Sequence, residues 1–468
     1  MADALAAPLL WHTDRSRYKV GTGRCPRQRY LSYHWGPTGY GITTKADSLP
    51  LATGIYLHKG VEAFGQILLQ EDRLPDLHET RSIVAQIRKD YVERVEARGF
   101  LGILSSEHTA DTITEQSALI SGLLWAQRLK FLPWLHEQYR LVSVEKERIH
   151  FLSCTCGAGP LELAQHVARG CEGKVLMIRN DMLALRRGGT TMAYFEFKST
   201  GWESDAWAEQ WESDPQLGIG TLDVQKIYGS EVTELYIVGM NKGARRRDKD
   251  DPQGRRKQIS SLCYGYLRPG NPPLTSDDWL PSYEWVDQDG AIRRASRAHK
   301  RTGIWQIKDG DAPTWLAYRG QDHSQTAEEY WVRMLPESVL SKVCFLIGPM
   351  NRQDHQIASV RTSMAAEEDR WQGILWDLYE YQLHYPWASP EFQSKLDQLI
   401  PQSWNCRPFG KDHQCEHYQI CHKHEGWQDP IGSGSYQARL PHHTSELEQA
   451  LARGFLVAEA AEAEGEIE

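Results

Sequence analysis

The sequence predicts an α/β fold, a central sheet flanked by helices, with a helical N-terminal subdomain and a cysteine-rich C-terminal segment. Three observations carry this. Apolar runs at 182–185 and 190–195 stand on either side of Arg186, Arg187, Gly188 and Gly189 and read as a β-hairpin. The run at 232–240 reads as a further strand. Upstream, Ile83, Ile87, Tyr91 and Val95 recur at the four-residue spacing of a helix face.

In chain order, residues 1–24 read as a poorly structured basic arm (Arg15, Arg17, Lys19, Arg24). Pro26, just after Cys25, suits the first turn of a short helix, because its φ is already helical. The stretch 53–64 is helical and sets His58 one turn from Glu62. His58 is either an ordinary histidine or a neutral imidazole offered to a metal. From 79 to 140 the pattern is helical, and Thr112, Ile113, Thr114 and Glu115 form a capping box that would open a helix. Strands at 139–147 and 150–154 follow; Glu145 and Glu147 are candidate acids that read better as solvent-face residues. Cys154, Cys156 and Cys171 flank an expected helix at 160–168 and fit no metal-ligand spacing well.

In the hairpin, at 174–198, the pleat puts Tyr194, Glu196 and Lys198 on one face, within reach of Asp181, and Ala193, Phe195 and Phe197 on the core face. Two carboxylates and a lysine converging on a strand pair suit metal-assisted phosphodiester hydrolysis. Carboxylates hold a hard divalent ion, the ion activates water, and the lysine steers that water or neutralises developing charge. The alternative is an exposed hairpin with ordinary surface charges. Gln216 opens a stretch that reads as a helix. Basic loops follow the strand at 232–240: Arg245, Arg246, Arg247, Lys249, Arg255, Arg256 and Lys257, then Arg293, Arg294, Arg297, Lys300 and Arg301. They read as phosphate-gripping or as solvated loops. Residues 270–345 carry short strand signals, and 367–380 are helical. Cys406, Cys415 and Cys421, with His413, His417, His422 and His424 nearby, lie in a segment with little regular pattern that a metal would help hold. Zinc is one reading. An iron–sulfur cluster needs a fourth thiolate, for which Cys25 is the candidate.

Composition bounds these readings. At 468 residues, 40% hydrophobic and 25% charged, the chain has the make-up of a soluble globular protein with ample core. It has no run of 18 apolar residues, so no membrane span is expected, and its start lacks the basic residues of a secretory signal. An intracellular protein is therefore expected, and nine cysteines in so long a chain read as metal ligands before disulfides. The net charge of −9 leaves a nucleic-acid partner open, because part of it sits in an acidic tail. There Glu446, Glu448, Glu459, Glu462, Glu464, Glu466 and Glu468 face only Arg453. The 17 tryptophans are mostly packing, with some available to stack on bases.

The pieces fall in a known order: Cys25-Pro26-Arg27 with Tyr30 and Leu31, Gly54 with His58, Asp181, Glu196 with Lys198, Gln216 with Leu217, then three cysteines. This order resembles the PD-(D/E)XK nuclease superfamily, in its RecB-like branch with an iron–sulfur cluster. The resemblance covers about half the chain as separated motifs. It implies a restriction-endonuclease-like mixed sheet. It also implies a metal-dependent DNA exonuclease of recombination, repair or replication. Asp181, Glu196, Lys198 and Gln216 would be catalytic. His58, Asp181, Glu196 and the Phe197 carbonyl would bind Mg²⁺ or Mn²⁺. Cys25, Cys406, Cys415 and Cys421 would hold a 4Fe–4S cluster, with Zn²⁺ the alternative. Arg245, Arg246, Arg247, Arg255, Arg256, Lys257, Arg293 and Arg294 would contact DNA. Gly220 stands where the family carries a tyrosine, and Tyr228 is the candidate substitute.

The length and the basic insert favour a phage-type exonuclease, acting in a bacterial host cytoplasm, over a CRISPR-adaptation nuclease. An inactive DNA-binding recombination accessory protein on the same fold is the other alternative. An annealing protein, helicase or single-strand-binding protein is a partner by family analogy alone. The expected organisation is a basic arm (1–24), the helical part of the nuclease domain (25–141), the nuclease core (142–244), a basic and Trp-rich insert (245–345), a helical and cluster-binding segment (346–430), and an acidic, partly disordered tail (431–468).

Overall fold

The structure, a computed structural model, describes residues 10–23, 25–36, 39–100, 106–154, 173–201, 205–228, 232–247, 256–259, 284–286, 292–298, 305–307, 327–334, 337–402, 415–423, 427–441, 443, 444 and 446–448. Strand β1 (Leu10–Asp14) leads into α1 (Arg15–Gly23) and α2 (Pro26–Tyr33), followed by β2 (Ile42–Thr44). Three long helices come next, α3 (Leu49–Glu71), α4 (Leu77–Arg98) and α5 (Ser106–Gln138). Strands β3 (Tyr139–Cys154), β4 (Gly173–Arg186) and β5 (Met192–Thr200) form the middle of the sheet, α6 (Asp205–Ser213) and α7 (Pro215–Tyr228) cross over, and β6 (Val232–Asn241) returns. Short strands β7 (Ala244–Arg247), β8 (Arg256–Ile259), β9 (Glu284–Val286), β10 (Ile292–Ala298) and β11 (Trp305–Ile307) precede α8 (Ala327–Met334), α9 (Glu337–Val343) and β12 (Cys344–Met350). Helices α10 (Asp354–Gln382) and α11 (Pro390–Leu399), a π-helical turn at Gln419–Lys423 and β13 (Tyr436–Ala438) complete the described chain.

The main sheet is mixed, in the order β1-β4-β5-β6-β12 with β3 also on β4. β3 runs antiparallel along β4 from Gly173 to Arg186 and takes one edge. The other edge is shared. β1 pairs in parallel with Gly173–Met177 there, and β5 pairs antiparallel with 182–185. The β4 residues 178–181, between these two pairings, face the junction where β1 ends. β6 lies parallel to β5, and β12 closes the far side antiparallel to β6.

Helices cover both faces, which buries strands on both sides and accounts for their near-continuous apolar character. One face sets Ala193, Phe195, Phe197, Tyr236, Val238 and Met240 against α3, α4 and α5 in the largest core cluster. On the other, Tyr194, Leu235 and Ile237 pack on Trp211, Leu217 and Val224. The α/β expectation with a central mixed sheet flanked by helices holds. The hairpin also forms as read, with Gly188 at φ +74 in its turn, a conformation that favours glycine.

Other expectations change. Residues 10–23 are not an unstructured arm. β1 gains its hydrogen bonds from β4, about 160 residues away, which no local pattern shows. The capping box at Thr112 does not start a helix. α5 already runs from Ser106, and Thr112 and Glu115 are buried within it. The two strands expected at 139–154 are one, with register shifts near its ends and Glu145 at φ +45. The basic stretches are not simply loops: β7 pairs with β8, and β10 is the middle of a three-stranded sheet. The side chains of Arg245, Arg246, Arg247, Arg256, Lys257, Arg293 and Arg294, and the whole of Arg255, lie outside the described residues, as does the helix expected at 160–168.

The tail expectation is corrected for its first part. β13 pairs with β2, and Glu446 is buried against Arg17, Nη2 to Oε2 2.6 Å. Residues 449–468 lie outside the described residues. Among the described residues no helix is long and apolar enough to cross a membrane.

Candidate metal centre

Three elements converge beside the β4 edge. α3 contributes His58, β3 Glu145 and β4 Asp181. His58 Nδ1 is 3.7 Å from both Glu145 Oε1 and Asp181 Oδ1. Among the described residues this is the set of His, Cys, Asp and Glu side chains whose ligand atoms all lie within 4.8 Å of one another. Asp181 sits between Asn180 and Met182, whose partners on β3 are Lys146 and Val144, so Glu145 is its neighbour across the ladder. Asp181 Oδ2 accepts the Phe197 N–H at 2.6 Å, which ties the carboxylate to the backbone of β5. Glu145 Oε2 meets Arg179 Nε at 3.2 Å.

Asp181 and His58 hold their protons more tightly than in water. Burial pushes the Asp181 carboxyl above the ordinary carboxylate range, opposed mainly by His58. Burial works against a charged His58, but Asp181 and Glu145 outweigh it and raise its pKa. Lys198 is close enough to act on both, lowering each. Two carboxylates and an imidazole, partly open to solvent, form an oxygen-rich donor set that fits a hard or borderline divalent cation such as Mg²⁺ or Mn²⁺.

Glu196 is not part of the His58, Glu145 and Asp181 group. It is buried on β5, and both its oxygens accept hydrogen bonds. Tyr194 Oη donates to Oε2, Lys198 Nζ donates to Oε1, and Arg15 Nη1 donates to Oε1 at 3.0 Å. The pleat that puts 194, 196 and 198 on one face is as read from the sequence. Arg15 and Glu145 are the residues that sequence reasoning undervalued. Arg15 stood in a segment without periodicity. Glu145 lies in a strand whose register shift at 141–143 breaks simple alternation, and its own positive φ turns it further.

Gln216 is buried at the start of α7. Its N–H donates to Asp214 Oδ1 at 2.8 Å, and its side-chain Nε2 has no hydrogen-bond partner among the described residues. Asp214 Oδ2 in turn takes Lys19 Nζ at 2.7 Å. The Trp211 ring lies between Lys19 and Lys198, 6.0 and 5.9 Å from the two ammonium nitrogens, so Gln216 borders the site through Asp214 and Trp211. Tyr228, the expected candidate tyrosine, is 37% exposed at the far end of α7. Gly220 packs against the ring of Tyr194, the tyrosine that bonds Glu196.

Of the expected cluster ligands, Cys25, Cys415 and Cys421 are described and none is in a disulfide; Cys406 lies outside the described residues. Burial, with smaller contributions from Glu416, Cys421 and Cys25, pushes the Cys415 thiol up to about 12, so these two cysteines lie close enough to act on it. Ser32 on α2 hydrogen-bonds Glu416 Oε1 at 3.1 Å and His417 Nε2 at 2.8 Å, and Tyr436 Oη donates to the Glu416 carbonyl at 2.8 Å. The segment carrying Cys415 and Cys421 is thereby docked on the helix that Cys25 caps. The Cys154 side chain, Cys156 and Cys171 lie outside the described residues.

No protein-family model matches the chain. No curated protein matches it either.

Proposed function

We propose that the chain is a metal-dependent DNA nuclease of the PD-(D/E)XK type, an exonuclease that hydrolyses phosphodiester bonds in recombination, repair or replication. The observation that carries the reading is the convergence of His58, Glu145 and Asp181 from three elements beside Lys198 and Glu196. Glu145, Asp181 and His58 would hold the divalent ion, with Glu196 and the Phe197 carbonyl completing its surroundings. When bound, such an ion polarises the scissile phosphate and lowers the pKa of its water. Lys198, fixed by Glu196, positions the attacking water and neutralises charge that develops on the phosphate. Tyr194 orients Glu196, and the Phe197 N–H orients Asp181. Arg245, Arg246, Arg247, Arg255, Arg256, Lys257, Arg293 and Arg294 are proposed to contact backbone phosphates without reading sequence.

The test is digestion of end-labelled linear and circular DNA with Mg²⁺ or Mn²⁺. Lys198→Ala should abolish degradation while the melting curve stays close to that of the parent. Activity retained in Lys198→Ala would sink the mechanism. DNA that is bound but left uncut with every divalent ion would favour a recombination accessory protein.

The gathering of Cys25, Cys415 and Cys421 supports a second part of the proposal, a 4Fe–4S cluster completed by Cys406 that ties α2 to the C-terminal segment. The purified protein should then be brown and contain iron, and Cys415→Ser should lose both colour and stability. Stoichiometric zinc without iron after anaerobic purification would assign the site to Zn²⁺ instead.

A further inference from the structure

Arg15 reaches the centre for a topological reason. β1 runs parallel to β4 and ends with Asp14 opposite Met177, so the next residue enters the junction between the β1 and β5 pairings. The helix it starts is braced on both sides. Asp14 Oδ1 accepts the Arg17 N–H at 2.9 Å, Arg17 Nη2 bonds Glu446, and Lys19 bonds Asp214. The Arg15 backbone is thus placed by buried contacts, while its side chain stays 35% exposed and reaches a carboxylate that is 1% exposed. Among the described residues Glu196 is its hydrogen-bond partner, through Nη1, which leaves most of the five guanidinium N–H donors uncommitted at the rim of the site. Glu196 does not need it for neutralisation, because Lys198 already donates to the same oxygen. A planar, permanently charged fork at the rim of a centre that handles phosphodiesters has the geometry of a phosphate ligand.

On the nuclease reading above, we propose that Arg15 binds a substrate phosphate, and that Arg15 and a divalent cation compete for Glu196. The two roles are complementary. With Glu196 engaged by a cation, the Arg15 guanidinium would be free to bind an incoming phosphate at the rim of the site. α1 is then part of the substrate-binding surface.

The experiment compares wild type, Arg15→Ala and Arg15→Lys in two equilibrium measurements that do not depend on turnover. Mn²⁺ binding without DNA is followed by electron paramagnetic resonance. Binding of a short labelled oligonucleotide is followed by fluorescence anisotropy with Ca²⁺ in place of Mg²⁺. Arg15→Ala should bind Mn²⁺ about tenfold more tightly and the oligonucleotide about tenfold more weakly, the size expected for one charge-assisted hydrogen bond. Arg15→Lys, which keeps the charge but not the fork, should fall between. If wild type binds Mn²⁺ and Arg15→Ala binds it no more tightly, or binds the oligonucleotide equally well, this proposal fails and the nuclease reading stands. If wild type binds no Mn²⁺, both fall together. Should Arg15→Ala not fold, Arg15→Gln carries the same comparison.

Discussion

Gly220 shows how one side chain's absence shapes the centre. A Cβ there would stand 2.3 Å from Tyr194 Cε1 and 2.8 Å from Cζ, inside the contact distance of the ring that donates to Glu196. Gly220→Ala should displace that ring and destabilise the fold by about 1–3 kcal/mol, as overpacking of a filled core does. The same change in a Tyr194→Ala background should cost far less, because the clashing ring is gone. Urea unfolding of the four variants checks this. Additive costs would mean that Gly220 is small for some other reason. On the proposed nuclease reading, metal-dependent cleavage should fall in Gly220→Ala even where the protein remains folded, since Glu196 loses the orientation that Tyr194 supplies.

At the scale of elements, α10 anchors the N-terminal strand and helices to the body. Glu368 is fully buried and accepts from Trp11 Nε1 and Thr13 Oγ1 at 2.7 Å each and from Arg29 Nη2 at 2.5 Å, which joins β1 and α2 to one carboxylate. Arg29 is itself fully buried, with its guanidinium over the Trp371 ring. Glu368→Ala would leave that charge without its carboxylate, and about 3–5 kcal/mol of stability should be lost in denaturant unfolding. A loss under about 1 kcal/mol would show that water reaches Arg29 and replaces the pair. Because β1 delivers Arg15 to the centre, the proposed cleavage should weaken with the anchor. The β1–α1 region was not legible as structure in the sequence, whereas the helix that Pro26 opens was. Its strand is five residues long, and the ladder that holds it in the sheet is formed with β4, far along the chain.

At the scale of the whole molecule, the two ends of the described chain meet. Glu446 pairs with Arg17, and His443 lies between Asp14 and Glu147, with Nε2 3.4 Å from Asp14 Oδ2 and Nδ1 3.0 Å from Glu147 Oε2. Burial alone would lower the His443 pKa; the Asp14 and Glu147 carboxylates outweigh it and raise the value to about 8. An unfolded histidine titrates near pH ~6.5, so the folded state binds this proton more tightly. The resulting stability, about 2 kcal/mol, is fully present below pH ~6.5 and is lost as pH rises through the folded value. Unfolding free energies measured across that window should fall, and His443→Gln should flatten the decline. An unchanged slope in that variant would remove His443 as the cause.

What the sequence determined by itself is local. Alternation around Gly188 placed Asp181, Glu196 and Lys198 together on a hairpin, since strand pleating needs only near neighbours. Apolar periodicity marked the helix that carries His58, and motif order marked which of these residues to test. Tertiary structure decided the rest. The register shift and positive φ in β3 turned Glu145 toward Asp181, although alternation alone had sent it to solvent. The division of one β4 edge between β1 and β5 brought Arg15 onto Glu196. Close packing of Gly220 gave Tyr194 its place beside that carboxylate. Each of these depends on segments distant in sequence choosing a particular edge or face. That choice is made by burial over the whole core, and a short stretch of chain carries little record of it.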